Sequence, residues 1–154
     1  MIEVDEETKL LLDAMWVANY AQRCVAKVLK PFGLTPARLN YLMVIQQTGW
    51  PEGISQQEIG KRLLIDKSNV TNDVDFLEGK WWVVRTRGIR DLRWRLVKMT
   101  PQGDQLLGQV RPVHEEVIQQ LTGGIPERFR RELAEILKEW RDALEGPQRW
   151  RPGT

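Results

Sequence analysis

This chain has almost no cysteine or histidine. Its 154 residues include one of each, Cys24 and His114. One cysteine excludes an intrachain disulfide, and so small a set excludes a metal framework of the cysteine–histidine kind. No metal or cofactor is expected. The chain also lacks a Gly-rich phosphate loop, and its carboxylates sit in no recognisable catalytic setting. An enzyme is therefore set aside. No apolar run approaches the ~20 residues needed to span a bilayer. The opening "MIEVDEETKLLLDAMW" is acidic before it is apolar, the reverse of a secretory signal. A cytoplasmic chain without a membrane partner is expected. A hydrophobic share of 42% and a charged share of 29% fit a globular fold rather than disorder. The length suits one domain, or one domain with dimerising extensions.

Net charge is also low, at +2, but it is unevenly spread. Between Arg85 and Lys98 stand Arg85, Arg87, Arg90, Arg93, Arg95 and Lys98, with Asp91 the lone acid. That segment carries +5, so the rest of the chain sums to −3. A local concentration of this kind decides where a polyanion docks.

Around this segment the periodicity is helical. In residues 5–30, Leu10, Val17 and Cys24 recur every seven residues, as do Ala14, Ala21 and Val28. Pro31 and Gly33 end that helix. Thr35 and Pro36 start another, with Leu39, Leu42, Met43 and Ile45 inward. Ser55 and Glu58 have capping-box spacing and open a short helix. Asp66 or Ser68 caps the next, whose buried side is Val70, Val74 and Leu77. Two β-rich runs follow, "WWVVRT" and "RWRLVKM", joined by "RGIRD". Thr100 and Pro101 then start a helix reaching about Leu121. A last helix carries Phe129, Leu133, Ile136, Leu137, Trp140 and Leu144 on one face.

The predicted fold is mainly α with a small β-hairpin: a winged helix-turn-helix with N- and C-terminal dimerisation helices. Residues 1–33 and 101–146 form the helical dimerisation region, 34–100 the DNA-binding domain, and 147–154 a flexible tail. In such a fold the second helix of the pair enters the major groove. Asn69 and Asn72 suit adenine edges, Ser68 and Thr71 suit bases or phosphates, and Lys67 suits a phosphate. The basic hairpin, with Arg85, Arg87, Arg90, Asp91, Arg93 and Arg95, lies along the backbone towards the minor groove. Trp81, Trp82 and Trp94 are expected mostly to pin that hairpin to the helices, Trp82 above all.

These motifs resemble the MarR family of winged-helix regulators. "DLRWRLVKMTPQG" matches the family's wing pattern of Asp-x-Arg, three residues, Val-x-Leu-Thr-x-x-Gly, at Asp91, Arg93, Val97, Met99, Thr100 and Gly103. "VDFLEGKWWVVR" is similar to the family's Leu-Glu-x-x-Gly-hydrophobic-Val-x-Arg, ending at Arg85. The resemblance implies that Arg93 enters the minor groove with Asp91 as its brace, and that 67–78 is the recognition helix. It implies a homodimer reading a pseudo-palindromic operator in double-stranded DNA. It also implies a repressor released by a small aromatic or anionic effector, for which Trp16, Tyr20, Tyr41 and Trp50 are candidate pocket residues. Two departures stand out. Asn72 and Phe76 replace commonly basic residues, beside Asp73 and Asp75. Trp81 takes the place of the family's turn glycine, and Gly79 is expected to cap the recognition helix in the left-handed conformation. The alternatives are a winged-helix protein-interaction module that has lost DNA binding, motivated by Asp73 and Asp75, and a thiol redox-sensing regulator through Cys24. A buried structural role for Cys24 is favoured over the latter, since it lies on the apolar stripe. His114 is expected to line a helix interface.

Overall fold

The computed structural model describes residues 4–49, 51–88 and 95–145. The chain divides into two compact units, Met1–Val117 and Ile118–Thr154.

Helix α1 spans Glu6–Leu29, and the side chain of its N-cap, Asp5, accepts the Thr8 backbone N–H at 2.7 Å. That bond, first among several, holds the Asp5 carboxyl below its ordinary range. A 3₁₀ turn, Lys30–Phe32, follows and ends on Gly33 at φ 69°. Helix α2 (Pro36–Thr48) starts with Thr35 capping Arg38 N–H at 3.2 Å. Strand β1 (Ile54–Ser55) leads into α3 (Gln56–Leu63), where the Ser55 hydroxyl accepts Glu58 N–H at 3.1 Å. Helix α4 is Lys67–Gly79, and its N-cap, Asp66, makes no side-chain capping bond. Strands β2 (Val83–Arg87) and β3 (Arg95–Met99) follow, then α5 (Pro101–Thr122) and α6 (Glu127–Glu145).

The predicted hairpin is present, but it belongs to a three-stranded antiparallel sheet in the order β1-β3-β2. Ile54 pairs with Val97 and Ser55 with Leu96, while β2 pairs with β3 from Val83↔Met99 to Arg87↔Arg95. The core draws on every layer of the first unit. Leu29, Leu39, Tyr41, Leu42, Ile45, Ile59, Val70, Val74, Leu77, Val83, Val97 and Val110 are each no more than 2% exposed. The three apolar residues expected to fix α4 are among them.

Both α3 and α4 end in the same reverse turn, and neither uses glycine at its left-handed position. After α3 the residue is Leu64 at φ 55°, with Ile65 N–H bonded to Gly60 C=O at 2.9 Å. After α4 it is Trp81 at φ 60°, not Gly79 as expected. Trp81 N–H bonds to Glu78 C=O at 2.9 Å and Trp82 N–H to Leu77 C=O at 3.1 Å, which is the Schellman pattern with Trp81 at C′. Gly79 stays helical because the last carbonyls are already satisfied two residues later. Trp81 is 73% exposed, so it does not pin the hairpin to the core. Trp82 does pack there, edge-on to Phe76 with ring centroids 6.2 Å apart.

The Thr-x-x-Gly spacing has a steric reason. Thr100 Oγ donates to the Trp81 carbonyl and accepts Gly103 N–H at 3.0 Å, docking the start of α5 on the α4–β2 turn. A Cβ at Gly103 would lie 2.1 Å from the Trp82 carbonyl oxygen, so only glycine permits this approach.

A candidate nucleic-acid interface on the winged lobe

Helix α4 buries Val70, Val74 and Leu77 and exposes Lys67, Ser68, Asn69 and Asn72. Four of the five proposed reading residues therefore share an accessible surface. Thr71 is half-buried: its hydroxyl donates to Lys67 C=O at 3.1 Å and accepts from Gln56 Nε2 at 3.1 Å. It is tied to its own helix and to α3.

The acids of α4 are all partnered. Asp73 Oδ1 accepts from Arg38 Nε at 3.2 Å, and the Arg38 guanidinium carbon stands 3.5 Å above the Phe76 ring centroid. Phe76 thus serves as a platform for a cation from α2. Asp75 Oδ1 accepts from Arg85 Nη2 at 2.6 Å, and Glu78 accepts from both Arg85 Nη1 and, at 2.9 Å, the Arg85 backbone N–H. Arg85 Nε donates to Gln56 Oε1 at 3.0 Å. Three of the five guanidinium donors are therefore spent inside the protein, and the Arg85 side chain is only 18% exposed. Arg85 was expected to face DNA, but β2 starts directly after the α4 turn, so this residue faces the acids of α4 instead.

Arg87 and Arg95 differ. They pair directly across β2 and β3 and are both exposed. Neither has an ion pair with another described residue. Like charges opposite each other on an antiparallel ladder destabilise it. An anion placed between them would relieve that repulsion. Arg90, Asp91, Arg93 and Trp94 lie outside the described residues, as do Trp50 and the 147–154 tail.

Of the aromatic residues considered for an effector pocket, the three described ones fall in two places. Trp16 and Tyr20 stack on α1 with centroids 5.2 Å apart and planes at 8°, and both are at least half exposed. Tyr41 is fully buried in the lobe core, because its position on α2 faces inward between Leu39 and Leu42. Among the described residues its hydroxyl has no partner within hydrogen-bond distance, although the Asp73 carboxylate lies near enough to act on it. Burial, with the Asp73 carboxylate adding to it, pushes the phenol up to about 12. Cys24 and His114 are half-buried, on α1 and α5. Sequence reasoning missed Arg38 and Gln56 as partners of the acidic helix. The spacing of Arg38 from Asp73 gives no local signal, and Gln56 reads only as a first-turn residue.

A MarR family model matches residues 32–93, which include α2 to β2. The HTH-type transcriptional regulator YdgJ of Bacillus subtilis is 28% identical over 112 residues, covering 73% of this chain and 66% of its own length. The chain therefore matches just under two thirds of that relative. A mutant MarR from E. coli complexed with operator DNA superposes with a TM-score of 0.79 at 27% identity, covering 88% of this chain and 95% of that one. CouR from Rhodococcus jostii, bound to p-coumaroyl-CoA, superposes with a TM-score of 0.78 at 22% identity over 98% of this chain and 100% of that one. The helix pair and the three-stranded sheet agree with these likenesses: over residues 32–93 the chain is similar to the MarR family, and its fold is that of winged helix-turn-helix transcriptional regulators.

Proposed function

We propose that this protein is a homodimeric, sequence-specific double-stranded DNA-binding repressor. The observation that carries this reading is the sorting of charge on the lobe. Asp73 is paired with Arg38, and Asp75 and Glu78 share Arg85, while Arg87 and Arg95 oppose each other with no ion pair to another described residue. A surface that engages its acids in ion pairs and leaves cations facing one another favours a polyanion. Lys67, Arg87 and Arg95 contact phosphates. Ser68, Asn69 and Asn72 meet base edges, with the asparagines suited to adenine. The wing residues Arg90, Asp91 and Arg93 keep the roles that the family resemblance implies. Thr71 acts within the protein rather than on a base.

The same pairing removes the motive for a protein-interaction module that has lost DNA binding. That reading rested on Asp73 and Asp75 as free negative charge, and both are engaged.

Dimerisation rests on α1, where Leu10, Leu11, Leu12, Met15, Trp16, Val17 and Tyr20 are each at least half exposed. So wide an apolar surface on one helix suits burial against a second copy. Two lobes so joined read half-sites about one helical turn apart, ~34 Å. An aromatic or anionic effector would shift the population of lobe spacings. Among the described aromatics, the exposed Trp16–Tyr20 stack is the pair that would meet one.

Selection from a random double-stranded library tests this reading. Enrichment of a pseudo-palindrome with half-sites about one turn apart is expected. Enrichment of single half-sites, or none above the starting pool at low salt, would overturn it.

A further inference from the structure

Arg85 holds a network that crosses three elements. Its guanidinium joins β2 to Asp75 and Glu78 of α4 and to Gln56 of α3. Gln56 spends its other end on Thr71, back on α4. A planar fork fits several acceptors at fixed angles, which a point charge on a flexible stem cannot do. The network therefore fixes the wing strand against the reading helix. It also engages two carboxylates and offsets one of their two charges, and Asp75 is 60% exposed.

We propose that Arg85 is a positioning residue for DNA binding: it sets the wing against α4 and masks Asp75 and Glu78 from the phosphate backbone, without itself binding a phosphate. The inference rests on the DNA-binding reading. It assigns the lone inward arginine of the basic segment described here a role opposite to that of Arg87, two residues along the same strand.

Phosphate contact and positioning predict different salt behaviour. A phosphate ligand contributes roughly one unit to the slope of log K against log salt. A positioning residue changes affinity without changing that count.

The test is a fluorescence-anisotropy titration on a labelled 30-base-pair duplex carrying the enriched site, using the full chain. Arg85→Gln is expected to weaken binding tenfold or more at an unchanged slope. Arg87→Gln should lower the slope by about one. Neutralising both acids, Asp75→Asn with Glu78→Gln, loosens the Arg85 fork but leaves no carboxylate to unmask, and should weaken binding less than Arg85→Gln does. The same pair of changes should recover most of the loss in the Arg85→Gln background. A slope lowered by about one in Arg85→Gln, or effects that simply add, would overturn the proposal. Should Arg85→Gln fail to fold, Arg85→Lys decides. Weaker binding at wild-type slope supports positioning, because lysine keeps the charge and loses the fork. Wild-type affinity in Arg85→Lys overturns it. If the wild-type chain binds no duplex at low salt, the DNA-binding reading falls and this inference falls with it. If wild type binds and the effects add, only this inference falls.

Discussion

In α4, Val70, Val74 and Leu77 are each no more than 1% exposed, whereas in α1 Leu10, Trp16 and Val17 are each at least 60% exposed. Both helices carry an apolar stripe in sequence, yet one is finished by its own chain and the other is not. The difference separates two sources of stability. The winged lobe folds on itself, with a sheet, four helices and the start of α5 closing one core. The outward apolar face of α1 contributes nothing to that core. Its burial waits on another surface, which the proposed dimer supplies. A regulator built this way can keep its reading surface rigid while the spacing between two such surfaces changes.

The largest expected effect breaks the lobe side of this comparison. Leu77→Ala should lower stability by about 2–5 kcal/mol in urea melts, since Leu77 is fully buried. That loss should not depend on protein concentration. Replacing Leu10 and Val17 together by serine should leave the helical circular dichroism in place and shift the sedimenting species towards monomer. A concentration-independent loss as large as that of Leu77→Ala would show that α1 belongs to the same core.

A smaller effect sharpens the account of the lobe interior. The Tyr41 phenol has a raised pKa, so the folded state holds its proton while the unfolded chain releases it near pH 10. The unfolded state then binds fewer protons, and stability falls as pH rises from about 10 towards 12. Below pH 10 this contribution is fully present. Tyr41→Phe should remove that alkaline loss. At neutral pH it should change stability by no more than about 1 kcal/mol, because the hydroxyl it deletes is buried with no partner within hydrogen-bond distance among the described residues. Urea melts at pH 7 and pH 11 check both parts. A neutral-pH loss above about 2 kcal/mol would indicate that the hydroxyl has a partner.

The smallest effect concerns the turn that joins the two halves of the reading surface. Trp81 occupies a left-handed position and is largely exposed. Trp81→Gly relieves roughly 1 kcal/mol of backbone cost and adds some unfolded-state entropy. The midpoint should stay the same or rise slightly in thermal melts. A clear fall would mean that the indole packs on something the folded lobe needs.

Much of this architecture is legible from local chemistry. The caps at Thr35, Ser55 and Thr100 bond as their spacing predicts, because an N-cap needs only residues within one turn. The buried stripe of α4 is equally local. Strand β1 is not, because two residues acquire a strand's identity only by pairing with Val97 and Leu96, some forty positions away. The end of α4 misled for a related reason. Gly79 is the residue with the freer backbone, yet the cap position is fixed by where Trp82 N–H meets Leu77 C=O. The site was legible in its types and less so in its pairings. A run of arginines gives the sign of the surface. Only the fold tells that Arg85 turns to Asp75 and Glu78 while Arg87 stands opposite Arg95.

The most direct test of the central claim is the salt dependence of binding, measured with stoichiometry on a duplex carrying the enriched site. Lys67, Arg87 and Arg95 from each of two protomers give about six phosphate contacts. The account predicts two chains per duplex and a slope of log K against log salt of about −5 or steeper. One chain per duplex, a slope near zero, or no binding at about 50 mM salt would contradict it.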